Sequence, residues 1–135
     1  MTDTALLKAE LIVSAARRHK AFDLVLLKVD KLTSFADYFF LCSCRSSRQV
    51  QSVADEILEQ AQKEGGYKPL GVEGKAQGHW VLLDFGEVIA HVFHEPLRGF
   101  YDLEGLWSEA ERVELDTLTG TRGRRSGRAR KRENA

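Results

Sequence analysis

Carboxylates two residues apart are the side chains of this chain whose spacing could support metal-assisted chemistry. Metal-assisted phosphoryl transfer would need such a pair at the end of a strand, near a Gly-Ser loop. The pairs with this spacing all lie near the C-terminus, at Asp102/Glu104, Glu109/Glu111 and Glu114/Asp116. A helix is predicted there, so we interpret them as a solvated helix face. The sequence also has no Gly-x-Ser-x-Gly elbow and no phosphate-binding P-loop, so we predict no catalytic residue and no enzyme.

Histidines and cysteines are the other residues that could hold a metal ion. His79, His91 and His94 lie close together in sequence, and Cys42 and Cys44 are two apart. Residues three apart on a strand point to opposite faces of the sheet, so His91 and His94 are not expected to converge. The two cysteines share a face, but the local spacing usual for a zinc site is absent. We therefore predict buried thiols, no metal site and no cofactor.

The formal net charge of zero conceals a separation of charge along the chain. Residues 120–135 carry a charge of +6, and residues 1–119 carry −6. The basic side chains of the C-terminal segment are Arg122, Arg124, Arg125, Arg128, Arg130, Lys131 and Arg132. An acidic body suits a basic protein partner, whereas a basic segment suits phosphate. We therefore name these seven side chains as candidate contacts to RNA phosphates.

Apolar runs in this sequence are too short for a membrane protein. The longest, Tyr38–Cys42, is far below the length of a membrane span. Residues 1–11 are acidic as well as apolar, which is not typical of a signal peptide. We expect a cytoplasmic protein without a membrane partner.

The stretch Gly78–Trp107 contains both tryptophans and organises the predicted fold. Two apolar runs, His79–Asp84 and Glu87–Phe93, are separated by Phe85-Gly86, which predicts a β-hairpin. A Pro-Leu-Arg-Gly turn is expected next. Large side chains then follow, at Phe100, Tyr101, Leu103, Leu106 and Trp107. Such a density of large side chains predicts either the centre of a core or a binding face.

Hydrophobic periodicity predicts the remaining elements. The predicted helices are 4–19, Arg45–Glu64 and Leu103–Val113, and the further strands are Phe22–Val29, Tyr38–Cys44 and Leu70–Val72. The short link between the first two strands predicts that they are antiparallel. We therefore expect an α/β domain over residues 1–116, with a mixed sheet of about five strands flanked by helices. Residues 117–135 are expected to be a disordered Arg-rich tail.

Several short motifs follow one another in a fixed order along the predicted domain. They are Asp37-Tyr-Phe-Phe, Ser46-Ser-Arg-Gln-Val50, Gly71-Val-Glu-Gly74, Trp80, Asp84-x-Gly86-x-Val88-x-x-His91 and Arg98-x-x-Tyr101-x-Leu103-Glu104-x-Leu106-Trp107. From about Ala5 to Glu111, this series resembles the ribosomal silencing factor family, also called Iojap-like. No single motif is specific, but the ordered series is.

The resemblance implies both a fold and a function. The implied fold is nucleotidyltransferase-like without the catalytic acids. The implied function is binding to large-subunit ribosomal protein fourteen, which blocks joining of the small subunit and represses translation. A role in ribosome biogenesis and a homodimer in the free protein are further expectations from the family. Two alternatives stay open, a nucleotidyltransferase-like enzyme and a nucleic-acid-binding module that acts through the basic tail.

The motifs also supply the candidate partner-binding residues, which are Trp80, Asp84, His91, Arg98, Tyr101 and Glu104. Trp80 lies beside a polar loop and is either a core residue or an interface anchor. Arg98 is expected to pair with an acid or with the partner. Leu103 and Trp107, four residues apart, should share one helical face that packs either on the sheet or on the partner.

Overall fold

A six-stranded sheet with helices on both faces forms the described part of the chain, residues 4–115 of a computed structural model. Its elements are α1 (Thr4–Arg18), β1 (Phe22–Lys28), β2 (Tyr38–Cys44), α2 (Ser47–Gly65), β3 (Gly71–Glu73), β4 (Trp80–Asp84), β5 (Val88–His94), α3 (Glu95–Tyr101), α4 (Leu103–Leu106) and β6 (Glu111–Arg112). The strand order is β3-β4-β5-β2-β1-β6. Within residues 4–115, none of the helices combines the length and apolarity needed to cross a membrane.

The sheet is mixed, which confirms the predicted α/β class. β2 and β5 are parallel neighbours at its centre. The other paired strands are antiparallel, including β1 with β2 as predicted. The described sheet has six strands rather than about five because of the short edge strand β6. The nucleotidyltransferase-like character stays a prediction, and residues 117–135 lie outside the described part of the chain.

Helices α1 and α2 cover the first face of the sheet. The apolar stripe of α2 is buried as its periodicity predicts, at Val50, Val53, Ala54, Ile57 and Ala61. Ser46 caps the start of the helix, because its hydroxyl accepts from the Gln49 backbone N–H at 3.1 Å. Cys42 and Cys44 lie in this layer as buried free thiols, as predicted. Burial of α2 against the sheet therefore fixes the position of its first turn beside the end of β2.

Helices α3 and α4 lie on the second face, over a smaller core. The buried residues of that core are Leu27, Val29, Ala36, Phe39, Leu41, Ile89 and Phe93. Leu97 from α3, Leu103 from α4 and Trp107 just beyond it pack against them while staying partly exposed. Leu103 and Trp107 thus share a face that packs on the sheet.

Local structure after β5 differs from the prediction in two places. The Pro-Leu-Arg-Gly segment is the middle of helix α3 rather than a turn, because a proline in the first helical turn needs no backbone donor. The predicted helix Leu103–Val113 is helical only over Leu103–Leu106. Beyond it, Glu111–Arg112 pairs with β1, and the Val113 N–H donates to the Leu26 carbonyl at 2.8 Å. Pairing with an open sheet edge outweighs the local helical pattern.

The predicted β-hairpin is present, with its turn shifted by one residue. Asp84 pairs with Ile89, and the Phe85 N–H donates to the Val88 carbonyl at 2.9 Å. The two central residues are therefore Gly86 and Glu87. Gly86 has φ +88°, a conformation that favours glycine.

Candidate functional site

Aromatic side chains form a row across three neighbouring strands on the second face of the sheet. Alternation along each strand places Trp80, His91 and Phe39 on this face, from β4, β5 and β2. His91 joins the two ends of the row, because its ring lies 5.5 Å from Phe39 and 6.0 Å from Trp80. The ring contacts therefore run without a break from Trp80 through His91 to Phe39, which in turn contacts Trp107.

Trp80 is half-buried and is held on all but its outer side. Its indole stacks on Phe93 at 5.1 Å and contacts Tyr101 from α3 at 4.7 Å. The indole Nε1–H donates to His91 Nδ1 at 3.1 Å. Such contacts fix the ring in one orientation, so a partner would meet a preorganised tryptophan. The inner side of the Trp80 ring therefore belongs to the core, and its outer side is open to a partner.

His91 is a neutral buried histidine. It is 5% exposed. Burial lowers its pKa to about 4, so the imidazole carries no charge near neutral pH. Nδ1 accepts from Trp80, which places the ring proton on Nε2. Within residues 4–115, Nε2 is buried without a hydrogen-bond partner. His91 therefore supports Trp80 from below and does not reach the surface.

Trp107 forms the other end of the aromatic row. Its ring meets Phe39 edge to face at 4.9 Å and 86°. Phe35, in the loop before β2, meets Trp107 edge to face at 6.3 Å and 81°. The fractional exposure of Phe35 is 60%. Trp107 is thus packed on the sheet, while Phe35 extends the row into solvent.

Several large apolar side chains in the loop before β2 and in helices α3 and α4 face solvent. Their exposed fractions are 60% for Phe35, 78% for Phe100, 48% for Tyr101 and 78% for Leu106. With the half-buried Trp80 and Trp107 they form what we call the aromatic surface. Folded monomers seldom leave many large apolar side chains exposed in one region without a use for them. This surface is therefore the candidate partner-binding site.

Arg98 fastens the helices behind this surface and is itself 9% exposed. Its Nε and Nη2 donate to the Glu104 carboxylate at 2.9 and 3.1 Å. Its Nη1 donates to the Asp23 carbonyl at 2.6 Å and to Ser43 Oγ at 2.9 Å. The hydrogen bond from Arg98 is the main cause of the lowered pKa of Glu104. Arg98 thus ties α3 and α4 to β1 and β2, and the acid expected for it is Glu104.

The six predicted partner-binding residues therefore have different positions. Trp80 and Tyr101 touch each other at the aromatic surface, and His91 lies beneath them. Asp84 is at the other end of β4, where its carboxylate accepts from the Gly86 N–H at 2.8 Å. Arg98 and Glu104 pair with each other. Contact of these six residues with a partner stays a prediction. The RNA contact of the basic tail also stays a prediction, and the tail lies outside residues 4–115.

Sequence reasoning left four residues of this surface, Phe35, Phe100, Leu106 and Trp107, out of the candidate site. Phe35 lies in the short link between the first two strands, and Phe100 and Leu106 belong to a run with no regular period. The signal for Phe35 is a lone aromatic residue in a short polar loop. Among the described residues, no group of three or more His, Cys, Asp or Glu side chains could hold a metal ion.

Comparison with known proteins identifies the family. The family model described as "Ribosomal silencing factor during starvation" matches residues 2–135, beyond the Ala5–Glu111 stretch that carries the resemblance. A ribosomal silencing factor of Halalkalibacterium halodurans is 40% identical, over 79% of this chain and 91% of that protein. The Bacillus subtilis ribosomal silencing factor is 38% identical, over 86% of this chain and 96% of that protein.

A crystal structure of a Chromobacterium violaceum protein has a similar fold, with a TM-score of 0.73. It is 34% identical and the match covers 76% of this chain and 84% of that one. The family model, the curated relatives and the fold agree, and this confirms the resemblance seen in the ordered motifs. The chain belongs to the ribosomal silencing factor family.

Proposed function

We propose that this protein represses translation by docking on the large ribosomal subunit and sterically blocking the small subunit from joining. The direct partner is large-subunit ribosomal protein fourteen, which the family resemblance implies. The observation that supports docking is the aromatic surface, with Phe100 and Leu106 each 78% exposed. Binding energy at protein interfaces concentrates on tryptophan, tyrosine and arginine, and Trp80 and Tyr101 lie together in this surface.

The aromatic surface is also well supported from behind. Trp80 is stacked on Phe93 and hydrogen-bonded to His91, and Trp107 is packed on Phe39. A rigid surface loses little conformational freedom when it binds, so more of the contact energy becomes affinity. This favours a surface built to dock as it stands.

Silencing by exclusion needs affinity and bulk rather than catalysis. Residues 1–119 carry a charge of −6, which would attract a basic ribosomal protein and orient it during approach. The protein therefore acts without turning over a substrate. The homodimer that the resemblance implies for the free protein stays a prediction.

Two leucines with nearly equal exposure provide a matched test of the docking surface. Leu106 lies on the aromatic surface and is 78% exposed, whereas Leu70 lies before edge strand β3 and is 77% exposed. Leu106→Ser should weaken sedimentation with purified large subunits about tenfold, roughly the 1–2 kcal/mol of an interface contact. It should also restore joining with added small subunits. Leu70→Ser should behave as the unmodified protein does.

The same two variants should be compared for binding to isolated ribosomal protein fourteen by calorimetry. A selective loss for Leu106→Ser supports that partner. If both variants bind large subunits as well as the unmodified chain, the aromatic surface is not the docking site. If both variants also block subunit joining as strongly as the unmodified chain does, the proposed mechanism does not depend on this surface.

A further inference from the structure

Basic side chains from separate segments of the chain lie together at one edge of the sheet, namely the edge formed by the ends of its strands. β2 and β5 are parallel and end there, with Cys44 beside His94. The His94 N–H donates to the His79 carbonyl at 2.9 Å, which brings the start of β4 to the same place. Arg45 follows β2, and its guanidinium lies 4.8 Å above the ring of Phe22 at the start of β1. Four neighbouring strands therefore meet at this edge.

Side-chain hydrogen bonds from α2 join two loops to this edge. Gln49 Nε2 donates to the carbonyls of His19 and Lys20 at 2.8 and 3.1 Å. Gln51 Nε2 donates to the carbonyls of Lys75 and Ala76 at 2.9 and 3.0 Å. We call the result the basic end; its members are Arg17, Arg18, His19, Lys20, Arg45, Arg48, Lys75, His79 and His94.

Much of the positive charge of the basic end is not neutralised by ion pairs. Lys20, Arg45 and Arg48 are exposed, and no acid of residues 4–115 pairs with them. By contrast, Arg18 and His19 share Glu56, and Lys75 pairs with Asp55. Asp23 and Glu95 are the acids that lie in the same strand ends. A basic end on a body of net charge −6 is a separation of charge that predicts an anionic partner.

We propose that the basic end binds backbone phosphates of ribosomal RNA. Exposed arginine and lysine side chains on several separate segments suit an extended phosphate backbone rather than one small anion. A basic ribosomal protein would be repelled here, so RNA fits this end and protein fits the aromatic surface. Trp80 of the aromatic surface directly follows His79 of the basic end, so one docked orientation can use both.

This inference deepens the proposed function and, for the ribosome, rests on it. A contact to phosphates adds affinity that does not depend on base sequence and that decreases as salt increases. Together with the protein contact, it would fix how the body is turned on the subunit. It is separate from the basic tail, which lies outside residues 4–115.

The test compares two double variants that reverse charge at different places on the surface. Both change the net charge of the protein by the same amount. The first full-length variant combines Lys20→Glu and Arg48→Glu at the basic end. Its control combines Lys31→Glu and Lys68→Glu at the opposite edge, where both lysines are also exposed. Binding is measured by fluorescence anisotropy to a 20-base-pair RNA duplex and by sedimentation with purified large subunits, at several salt concentrations. Both variants keep the basic tail, so it contributes equally.

We expect the basic-end variant to bind both targets at least tenfold more weakly, with a log–log salt slope shallower by about one to two. The control should stay within about twofold of the unmodified protein. Single Lys20→Gln and Arg48→Gln variants should give a smaller loss of the same sign, which covers the case in which the double variant does not fold.

Two results would overturn the inference. One is equal RNA binding by the basic-end variants and the unmodified chain. The other is an equal loss in the basic-end variant and its control, which would reflect net charge alone. Binding to isolated ribosomal protein fourteen is measured in parallel. If the duplex is bound as expected but that protein is not, the proposed function fails while the RNA contact stands.

Discussion

Replacing Arg98 with alanine should destabilise the fold more than any exposed charge change. Arg98 is 9% exposed, and its guanidinium makes a paired contact with Glu104 at 2.9 and 3.1 Å. It also donates to the Asp23 carbonyl and to Ser43 Oγ. Ser43 is 1% exposed, so water cannot easily replace the lost donor. Arg98→Ala therefore removes the link between α3, α4 and the sheet.

The size of the effect follows from the burial of the two partners. Removing one member of a buried ion pair costs about 3–5 kcal/mol. The Glu104 side chain is still 26% exposed, and solvent will screen part of its charge. We therefore expect a loss of about 3 kcal/mol in the free energy of unfolding, or about 12 °C in Tm for a domain of this size.

Urea denaturation measures this loss, and Arg112→Ala is the matched control. Arg112 contacts the same Glu104 carboxylate at 3.4 Å, but its side chain is 64% exposed. An exposed ion pair contributes about 0–1 kcal/mol, so Arg112→Ala should shift the midpoint little. Equal shifts for the two variants would refute the reasoning, because they would show that burial of Arg98 contributes nothing.

Acid should reduce the difference between the unmodified protein and Arg98→Ala. The hydrogen bond from Arg98 lowers the pKa of Glu104 in the folded state below its ordinary value of 4.5. The stability that this carboxylate contributes is present above pH 4.5 and is lost as the pH falls through the lower folded pKa. Urea midpoints at neutral pH and at decreasing pH below 4.5 should therefore converge for the two proteins.

Three further predictions test the docking surface and the tail. Trp80→Ala should weaken binding to large subunits by about 2 kcal/mol, about 30-fold, while circular dichroism shows a folded protein; unfolding, or unchanged binding, would contradict it. Trp107→Ala should instead lower the free energy of unfolding by about 2–3 kcal/mol in urea, because the ring packs on Phe39; a loss of binding alone would refute this. Removing residues 120–135 should flatten the salt dependence of binding to whole subunits and leave binding to isolated ribosomal protein fourteen unchanged. Equal affinity of full and truncated chains for whole subunits at low salt would rule out that role for the tail.

Strong periodicity made most of this fold predictable. The apolar stripe of α2 is buried, β4 buries alternate residues, and the continuous apolar run of β5 is buried on both faces, so pattern and tertiary structure agree. Agreement ends after β5. There the chain forms short helices and a two-residue strand whose partner, Leu27-Lys28, is distant in sequence. A short segment follows its tertiary neighbours more than its own propensity.

Candidate site residues were predictable by type but not by role. Trp80 stood out because it is a tryptophan beside a polar loop. The role of Arg98 depends on Ser43 and Asp23, which are 55 and 75 residues away in sequence. No local pattern reports such contacts. Phe35 was missed for a related reason, since its ring contact with Trp107 is also distant in sequence.

The location of the aromatic surface follows from the unequal lengths of the helices. At 1.5 Å per residue, α1 and α2, with 15 and 19 residues, are about 22 and 28 Å long. The central strands β2 and β5, with seven residues each, are about 23 Å long, so α1 and α2, which run along them, can cover one face. On the other face, α3 and α4 have only seven and four residues.

Alternate residues of β4 show the consequence of this inequality. Val81 and Leu83, under the long helices, are 0% exposed, whereas Trp80 and Leu82 on the other face stay half-buried. A sheet face that its own helices cannot cover exposes apolar area to water at a cost of about 25 cal/mol per Å². A docked partner would recover that free energy. The short helices that left the C-terminal region hard to predict thus also leave open the surface on which we propose that the protein acts.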